Sequence, residues 1–263
     1  MSLRYGSRMT FRERFQAWRY NYVPDHVIGE ILSKRWADNA IPFLALVAVI
    51  AVFGTAIPGF FQAFSLLEST RQLGEFAIVV MGLTVVMLAG GIDLAVGSMF
   101  ALSAFSAVAA FFIFHQPVVM AFLASLATGG LFGAANGYLI GYMRLRAFLT
   151  TLVTLVIGRA IYDILVVNYG SVIQTSTASS GVWDFIGDGD IQGVSIPVAI
   201  AIVLAVVFHI ALTRSRPGWH ILAVGGSRRS AHNSGIRVRE TVFMSYVVSG
   251  LCCGLAGFLI ACR

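Results

Sequence analysis

Long apolar stretches alternate with short polar ones along most of the chain. A transmembrane helix needs about 20 mainly apolar residues, and several stretches meet or approach that length. They are residues 41–60, 73–90, 94–114, 117–140, 148–168, 194–212 and 242–261. Glycine, alanine and serine recur within them, which is typical of membrane helices that pack closely together. The pattern predicts an all-α, polytopic membrane protein with about seven transmembrane helices.

The composition supports this fold class. Of 263 residues, 58% are hydrophobic and 11% are charged, whereas soluble domains carry about 25% charged residues. An ordinary soluble enzyme is therefore excluded. The net charge of +6 does not indicate nucleic acid, because the basic residues concentrate in residues 1–40 and 213–240, where they flank apolar stretches. We expect these residues to contact membrane lipid, and we expect no nucleic-acid partner.

The positions of the few charges also predict orientation, because short loops rich in Lys and Arg remain on the cytoplasmic side. Residues 1–40 form a basic, cytoplasmic N-terminal arm, and a transmembrane domain follows over residues 41–263. The turn with Arg144 and Arg146 and the loop 213–240 are also predicted to be cytoplasmic. The loop 170–193 contains acidic and no basic residues, so we expect it on the outer side.

The first interruption of the apolar pattern lies between the second and third stretches. It contains Gly90, Gly91, Asp93, Gly97 and Ser98. One interpretation is a tight hairpin in which Asp93 caps a helix that begins at Leu94. The other is a broken, half re-entrant helix that lines a polar path, which is tolerated only where protein or water covers the open backbone.

The second interruption is the loop 213–240. Ser227 is suited to cap a short helix through about Ser234, and Gly235 is suited to end it in the left-handed conformation. Such a helix would offer a docking surface for a soluble partner. The alternative is a basic loop whose arginines contact lipid phosphates. The candidate docking residues are Gly225, Gly226, Ser227, Arg228, Arg229, Ser230, Ala231, Ser234, Gly235 and Ile236.

Arg159 and Asp163 form the remaining candidate site. They stand four residues apart on a predicted membrane helix, so they share a face and neutralise each other; a proton relay is the alternative. The histidines are dispersed, and no metal site is predicted. The sequence has no glycine-rich phosphate loop with its lysine, so we expect neither ATP binding nor enzymatic activity in this chain.

Four segments resemble the ribose-type permeases of ATP-binding cassette (ABC) transporters. Residues 90–98 resemble the family's Gly-Ile-Asp-Leu-Ser-Val-Gly-Ser signature, with Ala95 where Ser is usual. Residues 223–236 resemble its Ala-hydrophobic-Gly-Gly-Asn to Ser-Gly-Ile segment, with Ser227 in place of Asn. Residues 147–152 and 246–250 match two further family positions. The matches extend over most of the chain beyond the N-terminal arm.

The resemblance implies a fold like the membrane domain of type II-like ABC importers. It implies a homodimeric or heterodimeric permease in the bacterial inner membrane that imports a monosaccharide or related small polyol. The partners would be a periplasmic or extracellular sugar-binding protein and a cytoplasmic ATPase, which uses the ATP. This chain itself would bind no cofactor. Residues 227–236 would be the coupling helix that enters the ATPase, and residues 90–98 would help to shape the translocation path.

Members of that family continue for several membrane segments beyond the equivalent of Arg263, so the chain is expected to be C-terminally incomplete. Two other functions remain open at this point. An ion-coupled secondary transporter or channel would use Asp93 and the pair Arg159 and Asp163. A truncated remnant would bind partners without transporting.

Overall fold

The computed structural model describes residues 35–58, 60–176, 180–191 and 193–263, which are almost entirely helical. The elements are α1 (Arg35–Ala56), α2 (Ala63–Leu88), α3 (Val96–Val108, continued by a π-helical turn, Ala109–Ile113), α4 (Val118–Gly141), α5 (Ala147–Thr175), α6 (Gly181–Asp188), β1 (Asp190–Ile191), β2 (Val194–Ser195), α7 (Ile196–Arg214), α8 (Arg216–Gly226), α9 (Arg228–Asn233) and α10 (Val238–Ala261). The two short strands pair in an antiparallel hairpin.

Six helices in the described part of the chain are long and apolar enough to cross a membrane. They lie in α2, α3 with its π-helical turn, α4, α5, α7 and α10. The all-α, polytopic architecture is thereby confirmed. Each of the seven predicted stretches coincides with a helix, but the apolar part of α1, Pro42–Ala56, is shorter than these six.

The described residues divide into two compact units between residues 65 and 66. In the first unit, α1 includes residues 35–40, the last six residues of the predicted basic arm. The rest of the predicted basic arm, residues 1–34, lies outside the described residues. Near the end of α1, the rings of Phe53 and Phe60 stack with their centroids 6.5 Å apart.

In the second unit, α10 packs along α4 through glycines on both helices. A methyl group added at Gly129 would overlap the carbonyl oxygen of Gly250, and one at Gly133 would overlap that of Tyr246. We call the facing glycines 129, 133, 137 and 141 of α4 and 250 and 254 of α10 the glycine seam. Small residues let membrane helices approach to backbone contact, so the expectation of close packing is confirmed here.

Ser125 joins three helices beside the glycine seam. Its buried hydroxyl lies 2.7 Å from the carbonyl oxygen of Gly254 on α10 and 2.9 Å from that of Ser103 on α3. Hydrogen bonds of this kind between membrane helices contribute about 0.6 kcal/mol each on average. The contact fixes the position of α3 against the seam.

One end of this unit is acidic. There Trp183 of α6 is buried and stacks on Phe111 at a centroid distance of 4.2 Å. Arg71 of α2 donates a hydrogen bond to the carbonyl oxygen of Asp188 and pairs with its carboxylate at 3.7 Å. The predicted loop 170–193 contains the end of α5, the helix α6 and the first strand of the hairpin. Aromatic packing and the Arg71 contact hold α6 against the bundle.

The opposite end is basic and carries α8, α9 and the turn with Arg144 and Arg146. The predicted loop 213–240 contains the short helices α8 and α9, of which only α9 was expected. Only Ser215 separates α7 from α8, and its hydroxyl accepts a hydrogen bond from the N–H of Gly218 at 3.2 Å. Proline in the first turn favours a helix start there as well. A capping serine followed by proline is the signal that would have revealed α8.

Candidate coupling and translocation sites

The short helix α9 forms as its flanking residues predict. The hydroxyl of Ser227 accepts a hydrogen bond from the N–H of Ser230 at 3.2 Å, which caps the first turn. After the helix, Gly235 has φ of +80°, and the N–H of Ile236 donates to the carbonyl oxygen of Ala231 at 3.0 Å. The expected helix is confirmed, and it ends at Asn233, one residue before the expected end.

The surface of α9 divides into a buried and an exposed side. Ala231 is buried in a cluster with Val86, Ile140, Val242 and Tyr246, and Ile236 packs against the same cluster. The other candidate docking residues, Gly225, Gly226, Ser227, Arg228, Arg229, Ser230, Ser234 and Gly235, are exposed. The polar and basic side of α9 is therefore exposed, while its apolar side packs on the cluster around Ala231.

A basic groove of about 740 Å³ lies beside α9. Its basic and acidic lining residues are Arg144, Arg228, Arg229, His232, Arg237, Arg239 and Glu240. Glu240 pairs with Arg237, with 3.1 Å between carboxylate oxygen and guanidinium nitrogen, so the other four arginines keep the groove positively charged. A groove with this charge attracts anionic groups. Sequence reasoning missed that the Arg144 turn and the start of α10 contribute to this surface, because these segments are distant in sequence.

The candidate docking helix touches the first interruption directly. A methyl group added at Gly225 would overlap the carbonyl oxygen of Leu88 at the end of α2. Arg228 reaches the carbonyl oxygen of Gly90 at 3.5 Å, and Gly90 has φ of +72°, a conformation that glycine adopts readily. Two separately predicted sites are therefore in contact at the basic end.

Asp93 lies in the seven-residue connection between α2 and α3, with only 4% of its surface exposed. Its carboxylate accepts hydrogen bonds from the N–H of Ala95 at 3.1 Å and from the hydroxyl of Ser249 on α10 at 3.2 Å. Burial raises the pKa of Asp93 to about 6, although these two hydrogen bonds oppose the shift. A carboxyl group in this environment changes charge near neutral pH.

The expected cap at Asp93 is wrong in its geometry. The helix α3 begins at Val96 rather than Leu94, and Ala95 occupies the capping position without a side-chain hydrogen bond. Asp93 stands two residues earlier and ties the connection to α10 instead. Since α2 and α3 are both long enough to span, the segment is a connection between two complete helices, as in the hairpin interpretation.

The remaining residues of this site differ in their burial and contacts. Gly91 is buried against Tyr246, whose hydroxyl donates to the carbonyl oxygen of Ile92 at 3.0 Å. Ser98 is buried and packs against Gly158 of α5. Gly97 is exposed, with no atom within 4 Å of a methyl group added there. Asp93, Gly91 and Ser98 therefore hold helices together, whereas Gly97 faces away.

Arg159 and Asp163 form the predicted ion pair on α5. The guanidinium Nε lies 3.3 Å from the carboxylate of Asp163, and the two side chains are 65% and 57% exposed. The guanidinium also lies over the ring of Tyr162, 5.5 Å from its centroid. Within the described residues, no group of three His, Cys, Asp or Glu side chains is placed to hold a metal ion.

Comparison with known proteins finds similarity to permease components of transport systems. The family described as "Branched-chain amino acid transport system / permease component" matches residues 65–263. The galactofuranose transporter permease of Escherichia coli K12 is 31% identical over 238 residues, which cover 86% of this chain and 67% of that protein. The ribose import permease of Haemophilus influenzae is 34% identical over 246 residues, or 92% and 73% of the two chains. A fructose import permease of Rhizobium meliloti is 29% identical over 228 residues, or 85% and 63%. No solved structure matches.

Proposed function

This chain belongs to the family of branched-chain amino acid transport permease components, among its sugar permeases. On that basis we propose that it is the membrane-spanning subunit of a bacterial ABC importer. Its cargo is a monosaccharide or a related small polyol, carried across the inner membrane. The energy comes from ATP hydrolysed by a separate cytoplasmic ATPase, and a sugar-binding protein delivers the cargo from outside. Permeases of this family are transport subunits rather than enzymes.

The observation that best supports this function is the exposed side of α9. A six-residue helix, capped at Ser227 and ended at Gly235, presents Arg228 and Arg229 beside a basic groove. A subunit without its own nucleotide site needs a rigid contact through which an ATPase can move it. The buried Ala231 and the contact of Gly225 with α2 supply that rigidity.

The same reasoning supports an orientation. The basic end carries α8, α9 and the Arg144 turn, and the acidic end carries Asp184, Asp188 and Asp190. Because short basic loops stay on the cytoplasmic side, the basic end faces the cytoplasm and the ATPase. The N-terminus then also lies in the cytoplasm, and α6 faces the sugar-binding protein. The permease acts as a dimer, either with a second copy or with a related chain.

Charge reversal on α9 tests the function. We expect the double variant Arg228→Glu and Arg229→Glu to insert normally but to lose its ATPase, because the partner then meets negative rather than positive charge. Arg214→Glu is the matched control, since Arg214 is exposed at the same end but lies outside α9. The measurement is ATPase retained by the purified chain, together with uptake of radiolabelled D-ribose and D-fructose into right-side-out vesicles that are loaded with ATP and have the binding protein outside.

Normal uptake by the double variant would contradict the coupling role of α9. Uptake driven by an imposed proton or sodium gradient without ATP would instead favour the ion-coupled transporter. Neither the family nor the similar proteins support that alternative.

A further inference from the structure

The ion pair of α5 is exposed although it lies deep within a helix that is long enough to span the membrane. Arg159 lies twelve residues after the start of α5 at Ala147, which is about 18 Å along the helix axis. At that depth a charged side chain is costly to insert, and such residues nearly always face the bundle interior or a water-filled cavity. In this chain more than half of each side chain is uncovered. Hydrocarbon is therefore a poor surrounding for this face of α5.

The face can be followed along the helix, because successive residues are about 100° apart around its axis. Gly158 marks the side that packs on Ser98 and Leu102 of α3. Arg159, Tyr162, Asp163, Val166 and Gly170 all fall within one adjoining sector. By the same geometry Ile164 lies about 160° around the axis from Val166, on the far side of the helix. Both charged residues of α5, Arg159 and Asp163, are therefore on the side of Val166.

A cavity of about 460 Å³ opens along this sector between α3 and α5, and Ile260 and Ala261 of α10 close one side of it. Its lining includes Phe105, Tyr162, Val166, Gly170 and Gln174. The rings of Phe105 and Tyr162 meet edge to face, 6.4 Å between centroids. The ion pair adjoins the cavity through Tyr162. Cavities that hold small molecules have volumes of about 300 to 1,000 Å³.

We propose that this cavity and the adjoining pair of Arg159 and Asp163 form part of a water-filled sugar path. A sugar has apolar C–H faces and a rim of hydroxyl groups. Phe105 and Tyr162 offer flat apolar surface to the former, whereas Arg159, Asp163 and Gln174 offer donors and acceptors to the latter. The inference rests on the proposed function for the identity of the cargo, but the presence of water along this face is independent of it.

Two apolar positions test for water on this face without disturbing the ion pair. Val166 lines the cavity and is 39% exposed, whereas Ile164, 61% exposed, lies on the far side of α5. The two positions differ in depth by only about 3 Å. The native cysteines, Cys252, Cys253 and Cys262, are buried, so they give little background. In intact membranes containing the whole transporter, Val166→Cys and Ile164→Cys are treated with a membrane-impermeant, charged thiol reagent. The reagent reacts with thiolate in water and not with a thiol in lipid.

We expect the cysteine at 166 to react at least tenfold faster than the cysteine at 164, which reverses the order of their exposure in the isolated chain. Equal rates, faster reaction at 164, or no reaction at either position would overturn the water-filled path. Spontaneous cross-linking of two permease copies through position 166 would also overturn it, because the face would then be a subunit contact.

A transport measurement tests contact with the sugar. Asp163→Asn keeps the shape of the side chain but removes its charge, and hydrogen bonds to charged groups are stronger than those to neutral groups. We expect kcat/KM for D-ribose or D-fructose uptake to fall at least tenfold, with Ile164→Val unchanged as the control. Unchanged uptake by Asp163→Asn would remove the sugar contact. If the wild-type chain takes up neither sugar with ATP, the proposed cargo fails, while the thiol result still decides whether the face is wet.

Discussion

The glycine seam and the helix α5 show two opposite ways of arranging a membrane helix. Along the seam, α4 and α10 approach until backbone meets backbone, and most of α10 is enclosed by protein. On α5 only Thr150, Thr151 and Gly158 are buried, and a charged pair is exposed at half its length. The seam has no space for a side chain, whereas α5 borders a cavity.

The difference separates a rigidly packed region of the protein from a region available to contact other molecules. Along the seam no side chain lies between the two backbones that could change its rotamer, so we expect the packed helices to move as one rigid body. Polar groups inside a membrane are retained mainly where they serve a path or a partner. We therefore assign stability to the seam and cargo contact to α5, and three changes test this division.

The largest expected effect is that of Gly129→Ala on the glycine seam. The added methyl group meets the backbone of Gly250 and Gly254, and neither can move without separating α4 from α10. The free energy of unfolding should fall by more than the roughly 1 to 3 kcal/mol typical of overpacking. The midpoint of thermal unfolding of the purified protein measures it.

Gly130→Ala is the matched control on the same helix. Its methyl group would lie 3.2 Å from the end of the Leu251 side chain, which can rotate away. A change below about 1 kcal/mol is expected, in the range of ordinary surface or adaptable positions. If both variants were equally stable, close backbone packing would not be what holds the seam.

A smaller effect is expected from the buried carboxyl group at the edge of the packed region. Because the pKa of Asp93 is about 6 in the folded protein against an ordinary value of 3.8, the folded state binds more protons between these values. Stability should therefore fall as pH rises from about 4 to about 6 and stay level above, by roughly 3 kcal/mol in total. The free energy of unfolding of wild type and Asp93→Asn, measured at pH 4.5 and pH 7.5, gives the contribution of Asp93 to this pH dependence.

Asp93→Asn should lose this pH dependence and be at least as stable as wild type at pH 7.5, since an amide can keep a hydrogen bond to Ala95 without carrying charge. Asp93→Ala is the comparison, because it leaves Ser249 without its acceptor. An identical pH dependence in Asp93→Asn would show that another group causes it.

The smallest effect on stability is expected on α5. Arg159→Gln removes one partner of an exposed pair, and exposed ion pairs are worth about 0 to 1 kcal/mol. A change in unfolding midpoint no larger than that of Gly130→Ala is expected, together with a clear loss of sugar uptake. A large loss of stability would instead mean that Asp163 is surrounded by lipid or protein once its partner is gone.

Much of the fold could be predicted from the sequence because its information is local. Apolar length identified the spans, and the spacing of Ser227 and Gly235 identified α9. The spacing of Arg159 and Asp163 identified their ion pair. In each case the residues that decide the structure are close together in the chain.

The remaining features depend on contacts between distant residues. The hydrogen bond from Ser249 to Asp93 joins residues 156 positions apart, and no local pattern predicts that partner. The helix α8 is an exception, because its signal, the capping Ser215 followed by proline, is local. It was missed because its 11 residues are too few for a span and lie in a segment whose charge indicated a loop. The basic groove combines three separate segments, so only the assembled bundle shows it.

The position of α10 directly after α9 has a mechanical consequence. A helix of 24 residues is about 36 Å long, and Gly250 of the glycine seam lies at its middle. A tilt of about 10° about that point moves each end by about 3 Å, in opposite directions. At its far end, Cys262 lies against Gly187 of α6. We therefore expect α10 to act as a lever with its fulcrum at the glycine seam, so that a displacement of α9 produces an opposite displacement of about equal size at the acidic end.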